Sequence, residues 1–314
     1  DANIAIGYQA LLSNTTANNN TAVGNGSLKF NTTGASNVAL GVSSLAANTT
    51  GAGNCALGRE ALNNNTTASN NTGVGLYALY ANTTGASNTA VGTNSLIANT
   101  TGNSNVAVGD TALDANTTGS NNVAVGRYAL TTSTTGYSNV AVGYATAYSI
   151  TTGFNNTAMG ESALNANTTA SNNTAVGQTS MYYTTTGANN TAVGVNSLKG
   201  NTTASNNTAV GNDSLNSNTT GAENVGIGRY ALTTNTTGTN NVAMGYNSLG
   251  LNTTASNNTA IGFRSLQTNT TGTYNAAVGA SALTANTTGG SNTAMGQGSG
   301  YTNTTGGFNT FLGY

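Results

Sequence analysis

Residues 88–104 read Asn-Thr-Ala-Val-Gly-Thr-Asn-Ser-Leu-Ile-Ala-Asn-Thr-Thr-Gly-Asn-Ser, and variants of this 17-residue unit run the length of the chain. Its glycine, Gly92, recurs at Gly7, Gly24, Gly41, Gly58 and Gly75 and onward to Gly279, Gly296 and Gly313, without insertion or deletion. A fixed period of this size marks a solenoid, in which each repeat is one turn of chain that buries its apolar residues by stacking on its neighbours.

Aligning the 19 copies on the glycine separates fixed slots from free ones. Four residues before it stands Asn in every copy, from Asn3 to Asn309. The preceding residue is always Val, Ile, Leu or Met, and the one before that is Ala except at Gly73, Gly226 and Phe311. Four residues after the glycine comes Leu, replaced only by Ala147, Met181 and Gly300; two threonines follow at the eighth and ninth positions, then Gly or Ala. Three pairs of residues per coil vary, which assigns them to exposed corners.

Helix is excluded, because Asn, Thr and Gly are poor helix formers and no 3.6-residue apolar stripe is sustained. Short parallel strands fit, giving an all-β fold: a single β-solenoid domain of about 18 coils over 1–314. Strand alternation suggests that Val91 and Thr89 point inward and Ala90 outward, with Leu96 as the second inward group. Lone Cys55 would then be a small buried thiol. At about 4.8 Å per coil the stack would reach roughly 85 Å. The invariant Asn is expected to bond from coil to coil, as stacked Asn does in cross-β assemblies. The weakest stretch runs from Ser133 to Ile150, where those residues interrupt the Asn of N-T-T and Ala147 replaces Leu.

Six Lys or Arg, seven Asp or Glu and a net charge of −1 leave no electrostatic footprint for nucleic acid, and no apolar run is long enough for a membrane span. Histidine is absent and the single cysteine has no partner residue, so neither a metal set nor a catalytic constellation is evident. Gly73-x-Gly75-x-x-Ala78 mimics a dinucleotide fingerprint but opens no helix, so no cofactor is expected. Asp110 and Arg127 share a slot in adjacent coils and should pair. N-T-T is a glycosylation acceptor sequence found in 15 coils, which makes Asn14, Asn31, Asn48, Asn82 and Asn116 candidate glycan sites. Tyrosines cluster after the glycine, at Tyr8, Tyr77, Tyr128, Tyr144, Tyr230 and Tyr246, as an aromatic ridge. The absence of an initiator Met points to a processed or partial chain.

The segment N-[TV]-A-[VI]-G-x-x-[SA], as in Asn88-Thr89-Ala90-Val91-Gly92 with Ser95, resembles the head repeats of trimeric autotransporter adhesins. That resemblance implies a parallel β-solenoid exposed on a cell surface. The expected function is a structural subunit of an extracellular or cell-surface fibre. It would self-associate head to tail through Ile4, Ile6, Tyr301, Phe308, Phe311 and Tyr314, and laterally through an outward Ala face. An adhesin head or fibre binding module and an ice-binding protein are the alternatives.

Overall fold

The computed structural model describes residues 2–313. It places one three-residue strand in each coil, β1 to β19 in chain order, from Ile4–Ile6 to Thr310–Leu312. The strands are parallel, and within β1 to β9 and within β10 to β19 each pairs in register with its equivalent 17 residues on, as in Thr89↔Val106, Ala90↔Ala107 and Val91↔Val108. The result is a parallel β-solenoid of about 18 coils with no helix among the described residues. Two compact units can be distinguished, Asp1–Asn155 with β1 to β9 and Asn156–Tyr314 with β10 to β19.

Hydrogen bonding between coils continues outside the strands. Leu96 N–H donates to Ala112 O at 3.0 Å and Ala98 N–H to Asp114 O at 3.0 Å, while Asn99 N–H closes a turn onto Leu96 O at 3.3 Å. Backbone groups of the irregular segments are therefore paired along the stack, as burial requires.

The invariant glycine has a steric cause. Gly92 sits at φ +135°, and a Cβ built on it would lie 2.5 Å from the carbonyl oxygen of Gly109 in the next coil. Any side chain would meet both an unfavourable backbone region and its neighbour.

The structure reverses the expected facing of the strand. The central Ala is the inward residue: Ala22, Ala39, Ala90, Ala107 and Ala192 have no exposed surface, whereas Thr89 and Val91 flank it on the solvent side, half-buried. The reason is width. At Gly73, which takes the Ala slot, a Cβ would lie 3.3 Å from Leu62 Cγ and 3.1 Å from Ala78 O. Opposite the leucine there is room for a methyl group and little more, so valine is displaced to the outer face. Cys55, expected inside, occupies the outer row and is half-exposed.

The leucines do form the core, as Leu28, Leu45, Leu62 and Leu96 are fully buried. They hold a left-handed backbone, Leu96 at φ 53° and Leu113 at φ 53°. Such a conformation costs an L-residue about 1–2 kcal/mol. Full burial of leucine stabilises by about 1.5–3 kcal/mol, which offsets the strain. The narrow interior thus depends on stacking and not on propensity.

Candidate assembly surfaces

Two asparagine ladders run through the coils. In the first, built from the Asn four before the glycine, Asn190 N–H donates to Asn173 Oδ1 at 2.9 Å, and Asn190 Nδ2 donates to Ala204 O, fourteen residues on, at 2.9 Å. Asn190 Oδ1 in turn accepts Asn207 N–H at 2.9 Å. The second ladder uses the Asn of N-T-T: Asn48 Nδ2 donates to Asn31 Oδ1 at 2.8 Å and to Gly51 O at 2.9 Å. Both sets are buried, Asn31, Asn48, Asn190 and Asn207 being at most 1 % exposed. The first threonine of the pair adds a third line of bonds, with Thr32 Oγ1 donating to Thr49 O at 3.0 Å.

The asparagines of the acceptor sequence N-T-T are members of the second ladder. Asn31, Asn48, Asn82 and Asn116 are fully buried, and the amide nitrogen that would carry a sugar is already donating in the stack, as Asn82 Nδ2 does to Asn65 Oδ1 at 2.8 Å. Asn14, in the first coil, is half-buried, with Nδ2 bonded to Ala17 O at 3.1 Å. The folded coil offers none of these five as a free amide.

The second ladder fails at Ser133, although Thr184, another replacement, still accepts Asn201 Nδ2 at 3.3 Å. Ser133 is too short to reach across, and both Ser133 Oγ and Asn116 Oδ1 are buried without a hydrogen-bond partner.

Of the residues expected at assembly contacts, Ile4 and Ile6 lie on β1 and are 53 % and 60 % exposed, and Tyr301 and Phe308 are 55 % and 90 % exposed. Phe311 differs from its expected outward position. It stands in the inward Ala slot, half-buried, and its ring occupies the space left by Gly300, where a Cβ would lie 2.6 Å from Phe311 Cδ2. Gly300 and Phe311 are thus one packing exchange, a small residue for leucine and a large one for alanine. Tyr314 lies outside the described residues.

The aromatic ridge is present, and its rings pair with one another and with arginines. Tyr128 contacts Tyr144 and Tyr148 edge-on with Arg127 over its ring at 4.4 Å; Tyr246 meets Tyr230 edge-on and stacks on Phe263 at 5.5 Å, with Arg229 over Tyr230 and Arg264 over Phe263. Arg127 and Asp110 form the expected ion pair at 3.3 Å, with both side chains about half exposed, where such a pair contributes little.

Among the described residues no three His, Cys, Asp or Glu gather in a metal-binding group. Among the same residues no helix is long and apolar enough to cross a membrane. A depression lined by Ser281, Gln297, Gly298 and Tyr301 carries no charged side chain. Burial raises the Asp114 carboxyl above the ordinary aspartate range, opposed by its bonds to the backbone of Ala115 and of its own residue. No protein-family model and no curated protein matches the chain.

The row that sequence reasoning missed is the outer face of the sheet. The residue before each glycine, exposed in Leu40, Leu57, Met159, Met244 and Met295, is apolar in all 19 copies. The signal was in the side-chain sizes, since only Ala and Gly fill the middle slot until Phe311, while Val, Ile, Leu and Met interchange in the next.

Proposed function

We propose that this chain is a structural subunit of an extracellular or cell-surface fibre, and that it extends by stacking coil on coil. The observation that carries this reading is the polarity of the first Asn ladder. Each coil presents Asn Oδ1 acceptors toward the following coil and backbone N–H donors toward the preceding one, as Asn173, Asn190 and Asn207 do in series. A stack built this way is extensible, because the acceptors on one side match the donors on the other. A contact between unlike surfaces that does not close generates a filament. Near neutrality, two isolated ion pairs at the surface and a backbone whose bonds run from coil to coil suit a load-bearing element better than a binding pocket.

Electron microscopy of the concentrated protein tests the proposal. Filaments of uniform width are expected, and deletion of residues 307–314, which removes Phe308 and Phe311, should reduce them to separate subunits. An intact chain that remains single at its highest soluble concentration would overturn the reading.

A further inference from the structure

We infer that the outer face of the sheet is an interface between copies of this chain, packed sheet to sheet. This lateral contact is separate from coil-on-coil extension. It rests on a row of side chains that face outward and yet never become polar.

The residue before the glycine is Val, Ile, Leu or Met in every one of 19 copies, from Ile6 to Leu312. It lies on the outer side of its strand, and Leu57 and Met159 are 42 % and 43 % exposed. Another exposed slot within the same coils provides the comparison. The residue just before the ladder Asn is Ser36, Gly53, Asn70, Glu223, Tyr274 or Phe308 in different copies, so exposed positions here drift freely between polar, charged and aromatic. Strand propensity does not explain the difference, because threonine favours strands and is never used, whereas the weaker strand formers Leu40, Leu57, Met159, Met244 and Met295 are. What is held constant is apolarity. An exposed apolar strip of this length marks a covered surface.

The occupant must have matching properties. The companion outer row, including Thr21, Val38, Thr72, Val106 and Thr191, carries no charge, so two such faces meet without like-charge repulsion or a buried unpaired ion. The side chains repeat at strand spacing, and a second copy of this chain is a partner whose side chains repeat at the same interval. Area agrees. With about 4.8 Å between strands and about 10 Å across three residues, β1 to β9 offer roughly 430 Å² and β10 to β19 roughly 480 Å². Covered by the equivalent face of a second copy, either unit alone buries about 900 Å² in total, the size of a weak, reversible contact.

Sedimentation velocity on the full chain over a concentration series reads the proposal. The wild type should form dimers or larger lateral assemblies. Leu40→Lys/Leu57→Lys, placing two charges on the outer row, should weaken association at least about tenfold, a loss of about 1.4 kcal/mol. Ser36→Lys/Asn70→Lys, with the same added charge on the variable slot, should associate as the wild type does. Circular dichroism melting verifies that each variant folds, and Met159→Lys/Met244→Lys repeats the test in the other unit should the first pair fail to fold. End-to-end stacking is distinguishable, since the outer-row variants should still give filaments of single-solenoid width. Undiminished lateral association in both outer-row variants, or a wild type with no lateral partner, overturns the inference. A wild type without lateral partners that slows ice growth, with the effect lost in the outer-row variants, would assign the face to ice and overturn it equally.

Discussion

Replacing Asn190 by alanine removes one rung of the first ladder and nothing exposed. The side chain is fully buried, its Nδ2 donates to Ala204 O at 2.9 Å and its Oδ1 accepts Asn207 N–H at 2.9 Å. Ala204 O keeps a second donor, Asn201 Nδ2 at 3.0 Å, so that carbonyl stays satisfied. Asn207 N–H does not. One lost side-chain bond at about 1 kcal/mol and one orphaned buried donor at about 1–3 kcal/mol give an expected loss of about 2–4 kcal/mol. Because each coil touches only its neighbours, the damage should be local and global unfolding need not be two-state. Amide hydrogen exchange is therefore the assay: protection at Asn207 should fall by about two orders of magnitude, at about 1.4 kcal/mol for each factor of ten. Thr186→Ala, at an exposed threonine, should change it by less than about 0.5 kcal/mol. Equal small effects from the two substitutions would refute the ladder as a source of stability.

Four further outcomes are expected. Ala90→Val, in the inward slot facing the leucines, should destabilise by about 1–3 kcal/mol through overpacking, whereas Val91→Thr on the outer face should cost far less, and urea denaturation compares them. Gly92→Ala should cost more than about 2 kcal/mol, since φ +135° and the Gly109 carbonyl both oppose a Cβ; its melting temperature checks this. Ser133→Asn should stabilise by about 1 kcal/mol, because the longer side chain reaches the unpartnered Asn116 Oδ1; a melting temperature no higher than wild type counts against it. Burial raises the folded pKa of Asp114, so the folded state binds that proton more tightly. Its contribution is therefore least unfavourable at or below the ordinary aspartate range and worsens as pH rises through the raised value. Asp114→Asn should flatten that part of the urea-midpoint profile against pH.

Coil, period and core leucine were legible because each is fixed by a single requirement. Glycine every 17 residues meets a backbone that admits no Cβ, and Leu96 is the large apolar group that fills each coil. The amide ladder was legible for a related reason: Asn190 and its equivalents never vary, and stacked amides satisfy one another. Facing was not. In Thr89-Ala90-Val91 both parities contain apolar side chains, so period-two alternation fits either way round, and only the width opposite Leu62, felt at Gly73, decides that Ala points inward. Cys55 and Phe311 were misplaced for the same reason. Left-handed Leu96 and Leu113 were hidden because that conformation is associated with Gly and Asn, and here burial outweighs the preference. The second ladder was hidden because it is written in the same residues as the glycan acceptor sequence.

The central claim is that buried amide ladders hold the coils together, and NMR exchange of the asparagine side-chain amides tests it most directly. Nδ2 protons of Asn48, Asn82, Asn190 and Asn207 should exchange slowly, on the timescale of strand backbone amides, whereas those of Asn103, in an exposed corner, should exchange rapidly. Rapid exchange throughout both ladders, in a chain whose strand amides remain protected, would contradict the account.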